Sequence, residues 1–162
     1  GQFRQILEET GMSVQKEFEM VALARKMDLF SIVYVATPEE AVAMAKAGAD
    51  TIIAHVGTTV GGSIGVTKAV VTWDFAIQRT QEIINAARRV RKDLIFLTHG
   101  GPINTPEDVE RILKATTADG FVGASSLERM GVEDSLTNLT RRFKAVPMRS
   151  ARRKKGRVSR YP

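Results

Sequence analysis

Cysteine is absent from this chain, which removes disulfide frameworks, thiolate nucleophiles and thiolate zinc sites. No apolar run approaches the ~18–20 residues needed to span a bilayer, and the first residues, GQFRQILEE, lack the apolar core of a signal peptide. A soluble, cytoplasmic setting with no membrane partner is therefore expected. Aromatic residues are sparse at 6%, and only Tyr161 accompanies the basic residues at the C-terminus, so base-stacking on nucleic acid has little to work with. No Gly-Lys-Ser/Thr follows the glycine-rich stretch GGSIG, and Lys68 comes too late, so a Walker A loop is excluded.

Charge is present but misplaced. The net charge is +6, yet Arg149, Arg152, Arg153, Lys154, Lys155, Arg157 and Arg160 form a block without an acid. Seven of the 24 basic residues lie there, and the remaining 17 face 18 acids, leaving a body near −1. Residues 147–162 are expected to be a disordered basic tail. Such a tail could touch nucleic acid, an anionic surface or an import receptor, or simply extend into solvent. Residues 1–146, within a chain that is 43% hydrophobic, suffice for one domain.

Apolar periodicity divides that domain into alternating elements. Gln2–Glu9 reads as a helix closed by Gly11. Ser13 is placed to cap a second helix, with Val14, Phe18, Val21 and Ala24 on one face. Leu29–Ala36 reads as a buried strand. Thr37-Pro38-Glu39-Glu40 then supplies an N-cap, a proline at N1 and a glutamate at N3, the pattern of a capping box. Asp50–Val56 is the second strand, and Gly57–Thr67 is a loop with four glycines. Thr72 or Asp74 opens a helix to about Arg91. Asp93–Thr98 is a third strand, Thr105-Pro106 starts another helix, Asp119–Gly123 is a fourth strand, and a helix follows from about Val132 to Ala145. Trp73, Tyr34 and the methionines fall in or beside apolar segments and read as core. Strands this apolar, each followed by a helix, predict an α/β fold of parallel βα units.

Residues able to do chemistry cluster at strand ends. His55, His99, Ser125 and Ser126 fall at or just beyond the C-terminal ends of strands, where (β/α)8 barrels carry their sites. Each histidine could serve as general acid, general base or electrophile, or could merely lock its turn. Gly100, Gly101, Gly123 and Ser125 are candidates for holding an anion, because glycine admits close backbone approach and a hydroxyl adds a hydrogen bond. Tight-turn geometry alone is the competing explanation. Ser126 is a weaker partner. Glu128 could face the site, hold a cation through water, or pair with Arg129. The loop with Gly61, Gly62 and Ser63 is suited to covering a ligand. Asp50 and Asp119 sit at strand starts, so no strand end offers a carboxylate, and neither a metal nor another cofactor is evident.

The segments FRQILEETGM, AGADTIIAHVG, GGSIG, HGGPI and GASSLER, in this order, resemble the phosphoenolpyruvate hydrolase-like TIM-barrel family. That family is also described as TIM-barrel signal-transduction proteins and forms one domain of plant Tm-1-like virus-resistance proteins. The resemblance runs from about Gln2 to Val146. It implies the second half of a (β/α)8 barrel, strands five to eight. It also implies hydrolase- or lyase-like chemistry on a small phosphorylated or keto/enol-acid metabolite, or a regulatory protein-interaction module without turnover. Any Mg2+ would then be held by the absent first half. Four strands cannot close an eight-stranded barrel, so a second copy or a partner half-barrel is expected. Nucleic-acid contact through the tail ranks last.

Overall fold

The structure is a computed structural model that describes residues 2–60, 71–128 and 133–147. Two helices, α1 (Gln2–Glu9) and α2 (Val14–Lys26), precede four strands that alternate with helices. These are β1 (Ile32–Val35), α3 (Pro38–Ala47), β2 (Thr51–His55), α4 (Trp73–Val90), β3 (Ile95–His99), α5 (Pro106–Ala115) and β4 (Gly120–Phe121). A short α6 (Ser125–Glu128) and a longer α7 (Glu133–Ala145) follow. The sheet is entirely parallel and its order, β1-β2-β3-β4, is the order of the sequence.

Period-two alternation sorts the strands into two faces. Val33, Val35, Ile52, Ala54 and Phe96 pack with Val21, Ala41, Met44, Ile83, Ile84 and Ala87 from the helices into the larger core cluster. A second cluster joins Val56, Ala76, Ile103, Val109 and Ile112 to Phe121 and Phe143. Each fully buried side chain of this size contributes ~1.5–3 kcal/mol relative to exposure. The alternate residues form three rows on the other face. Ile32, Thr51 and Ile95 make the first row, Tyr34, Ile53, Leu97 and Gly120 the second, and His55 with His99 the third. Neither cluster takes a side chain from these rows. The described helices thus cover one face, as around a barrel, whereas a doubly wound sheet carries helices on both.

The starts of the strands are fastened by the two aspartates. Asp50 accepts the Ser31 amide at 3.0 Å and faces Arg25 at 3.6 Å. Asp119 accepts the Phe96 amide at 2.8 Å. Both therefore tie neighbouring strand starts at the end opposite the histidines.

Several local expectations need correction. The Ser13 side chain makes no cap bond; the Glu8 carboxylate accepts the Val14 amide at 2.8 Å instead, reaching over from α1. At α3, Thr37 accepts from the Glu40 amide, but Glu40 bonds the Ala36 amide rather than that of Thr37. The reciprocal capping box lies at α5, between Thr105 and Asp108. The first strand is shorter than Leu29–Ala36, and it is buried on one face only. Ile32 is 58% and Tyr34 47% exposed on this edge strand, whereas their register partners Thr51 and Ile53 in β2 are buried. Met12, Met20 and Met27 are also exposed, so among these residues only Met44 belongs to the core. The fourth strand does not reach Gly123, because β4 stops at Phe121 and Ser125 opens α6.

Candidate functional site

The equal extension of β2 and β3 brings the two histidines together. His55 and His99 are register partners at the last position of their strands, so their side chains leave the same face side by side. Their ring centroids lie 5.3 Å apart with planes tilted by 35°. Tyr34 closes the β1 side, its ring edge-on to His55 at 5.8 Å and to His99 at 5.4 Å. Phe121 stacks against His99 from the β4 side at 6.5 Å. Tyr34 was expected in the core, but it borders the histidines. Alternation within IVYV, which sets Tyr34 opposite Val33 and Val35, was the signal that could have placed it.

His99 is buried, and its Nδ1 lies 2.8 Å from the Val122 carbonyl oxygen. A carbonyl only accepts, so Nδ1 carries the hydrogen and Nε2 is the ring nitrogen left to meet other groups. Burial lowers the pKa of His55 below its ordinary 6.5, and the nearby His99 lowers it further against an opposing backbone hydrogen bond. His55 is therefore neutral at pH 7 and able to donate or accept according to its tautomer.

The glycine turn after β3 is laced to the loop after β2. Gly100 and Gly101 have φ of 83° and 57°, the left-handed region, and a methyl group on Gly100 would collide with the Gly57 carbonyl oxygen. The Gly101 amide donates to that same carbonyl at 2.7 Å, and the Val60 amide donates to the Gly101 carbonyl at 3.2 Å. The Gly101 N–H, expected to face an anion, is thus engaged within the protein. Close backbone approach is real here, but the approaching group is the neighbouring loop.

The fourth strand brings Gly123, Ser125 and Ser126 to the same end of the sheet, and the Val122–His99 hydrogen bond joins that segment to β3. Gly123 packs closely on Leu127 and Phe121, and Ser126 is buried. Glu128 is exposed at the end of α6; its expected partner Arg129 lies outside the described residues, as do Gly61, Gly62 and Ser63. The basic tail beyond Pro147 also lies outside them. Among the described residues, no three of His, Asp and Glu converge as a metal-binding group, and no helix is long and apolar enough to cross a membrane.

A family described as phosphoenolpyruvate hydrolase-like matches residues 1–146. The chain belongs to this family. It is 48% identical over 149 residues to the ToMV susceptible protein tm-1(GCR26) and, equally, to the ToMV resistance protein Tm-1(GCR237), both of Solanum lycopersicum. The matches cover 91% of this chain and 20% of each tomato protein, so the chain spans about a fifth of the length of these curated relatives. In solved structures, the fold is similar to native KDPGal, with a TM-score of 0.54 and 21% identity over 78% of this chain and 52% of that one. It is also similar to phosphonopyruvate hydrolase in complex with oxalate and Mg++, with a TM-score of 0.54 and 18% identity over 85% and 50%. These likenesses place the four βα units in a TIM-barrel-like fold.

Proposed function

We propose that the rim formed by the C-terminal ends of β2 and β3 binds a small phosphorylated or keto/enol-acid molecule, with His55 and His99 acting on it as acid–base or electrophilic groups. The observation that carries this is the convergence of two imidazoles at one end of a parallel sheet, one with its tautomer fixed. Imidazole suits proton transfer near pH 7, and an N–H of His55 can polarise a carbonyl or hold an anionic oxygen. Membership of the phosphoenolpyruvate hydrolase-like family supports the ligand class. The contribution of Gly123, Ser125, Ser126 and Glu128 is proposed to be contact with the ligand from the β4 side.

Mg2+, named for phosphonopyruvate hydrolase, does not fit the residues described here. That ion takes oxygen ligands, and no carboxylate joins the imidazole pair. No step is therefore assigned to Mg2+.

Isothermal titration with phosphoenolpyruvate and with oxalate tests the proposal. The chain should bind one of them at a single site, and His99→Ala should weaken that binding by about ten-fold or more, the effect of ~1.4 kcal/mol. A folded chain that binds neither defeats it. Binding is the appropriate readout, because four strands supply only half the loops around an eight-stranded rim.

A regulatory role through a protein partner is favoured by a different observation. Leu23, Met27, Leu29, Phe30, Ile32 and Tyr34 are all exposed, from the end of α2 through β1. Exposed apolar side chains in such number mark surface that another element covers. A second copy or a partner half-barrel would meet that need.

A further inference from the structure

We propose that His55 and His99 form a nitrogen-donor site for a divalent transition metal of the Zn2+, Co2+ or Ni2+ type. The site deepens the reading of this rim as the ligand-binding end. Three features of the pair carry the inference. First, His99 gives its Nδ1 hydrogen to a backbone carbonyl, the outer hydrogen bond that metal-binding histidines almost always make, and Nε2 is the nitrogen left for a metal. Second, both Nε2 atoms lie toward the gap between β2 and β3. Strand β3 lies between β2 and β4, and the His99 Nδ1 faces the residue after β4, so Nε2 lies on the side of the ring away from β4. From the β2 side, His55 Nε2 borders Gly100, the residue after His99, at 3.6 Å from the position of a Cβ there. Third, the spacing fits. A metal ~2.0–2.1 Å from each nitrogen stands about 3.2 Å from each ring centroid. The observed 5.3 Å between centroids then corresponds to an N–metal–N angle of about 110°, that of a tetrahedral ion.

The donor chemistry selects the ion. Imidazole suits Zn2+, Co2+ and Ni2+, whereas Mg2+ wants carboxylate and water. Two protein ligands leave coordination positions for water or for two oxygens of one bound molecule. A 2-keto acid or a 1,2-dicarboxylate offers such a pair, which narrows the ligand class proposed for the rim.

Sequence composition makes the test clean. With two histidines and no cysteine in the whole chain, an imidazole-dependent metal signal reports this pair. Zn2+ uptake by the full chain is measured by titration calorimetry and Co2+ uptake by visible absorption. One equivalent is expected to bind, ten-fold or more weakly in His55→Gln and in His99→Asn, with Mg2+ unable to displace it. In His99→Asn the side-chain amide keeps a donor for the Val122 carbonyl, so metal loss there, with the circular dichroism spectrum unchanged, speaks for ligation. Oxalate should change the Co2+ spectrum. Equal uptake by wild type and both variants, no uptake by the folded wild type, or displacement by Mg2+ overturns the proposal. If metal uptake fails while anion binding still depends on His99, this inference falls and the anion site stands.

Discussion

Gly100 shows how little room the rim leaves. Alanine there would have to hold φ near 83° and push away the carbonyl that receives the Gly101 amide. At Gly11, also left-handed with φ of 79°, nothing lies within 4 Å of a new methyl group. Gly11→Ala should therefore cost only the conformational strain of ~1–2 kcal/mol. Gly100→Ala should cost more than that, as read by urea unfolding of both variants; equal losses would mean the loop after β2 yields freely. His55 gives a prediction of pH dependence. Its folded pKa lies below 6.5, so on acidification the unfolded chain takes up this proton first. Stability is unaffected by His55 above about pH 6.5, falls below it, and stops falling below the depressed folded value. His55→Gln should flatten that part of the profile, and an unchanged urea midpoint-against-pH curve would remove His55 as its cause. Both histidines were legible in the sequence, because a polar ring ending an apolar strand before a glycine stands out. Tyr34 was not: aromatic rings fill both cores and rims, and only the absence of helices on its face distinguishes the two.

Among the elements, helix starts were half legible. Threonine before proline marks α3 and α5 correctly, because both side chains accept the N3 amide. What the carboxylate three residues on will bond depends on chain direction before the helix, which no local pattern records. Thr105→Ala removes the hydroxyl half of a reciprocal box and should destabilise the protein by ~1 kcal/mol. Ser13→Ala removes no cap bond and should stay within ~0.5 kcal/mol of wild type, as thermal or urea unfolding would show. A loss at Ser13 as large as at Thr105 would contradict the cap assignment. The short α6 escaped detection because GASSLE has both turn and helix character, and the bonds from Leu127 and Glu128 to Ala124 settle it only in three dimensions.

At the scale of the whole molecule, the described residues form a four-stranded parallel sheet with the core-forming helices on one side. The parallel class followed from the strand–helix alternation. Its TIM-barrel character came from the resemblance and from strand-end chemistry, since apolar strands alone do not say how many faces are covered. Exposure of β1 was illegible for the same reason, as an apolar strand reads as buried whichever element covers it. Ile32, at 58% exposure on that open face, gives a test at this scale. Ile32→Lys should leave unfolding free energy within ~0.5 kcal/mol of wild type while lowering concentration-dependent association in size-exclusion chromatography with light scattering. A wild-type chain that stays monomeric at every concentration would remove the case for pairing through this face. The hydrogen bond between His99 and the Val122 carbonyl has one more consequence. The ring at the tip of β3 is also a strut under the segment leaving β4, so whatever rotates that ring tugs on its neighbour. A ligand held at one strand tip would thereby pull mechanically on the next.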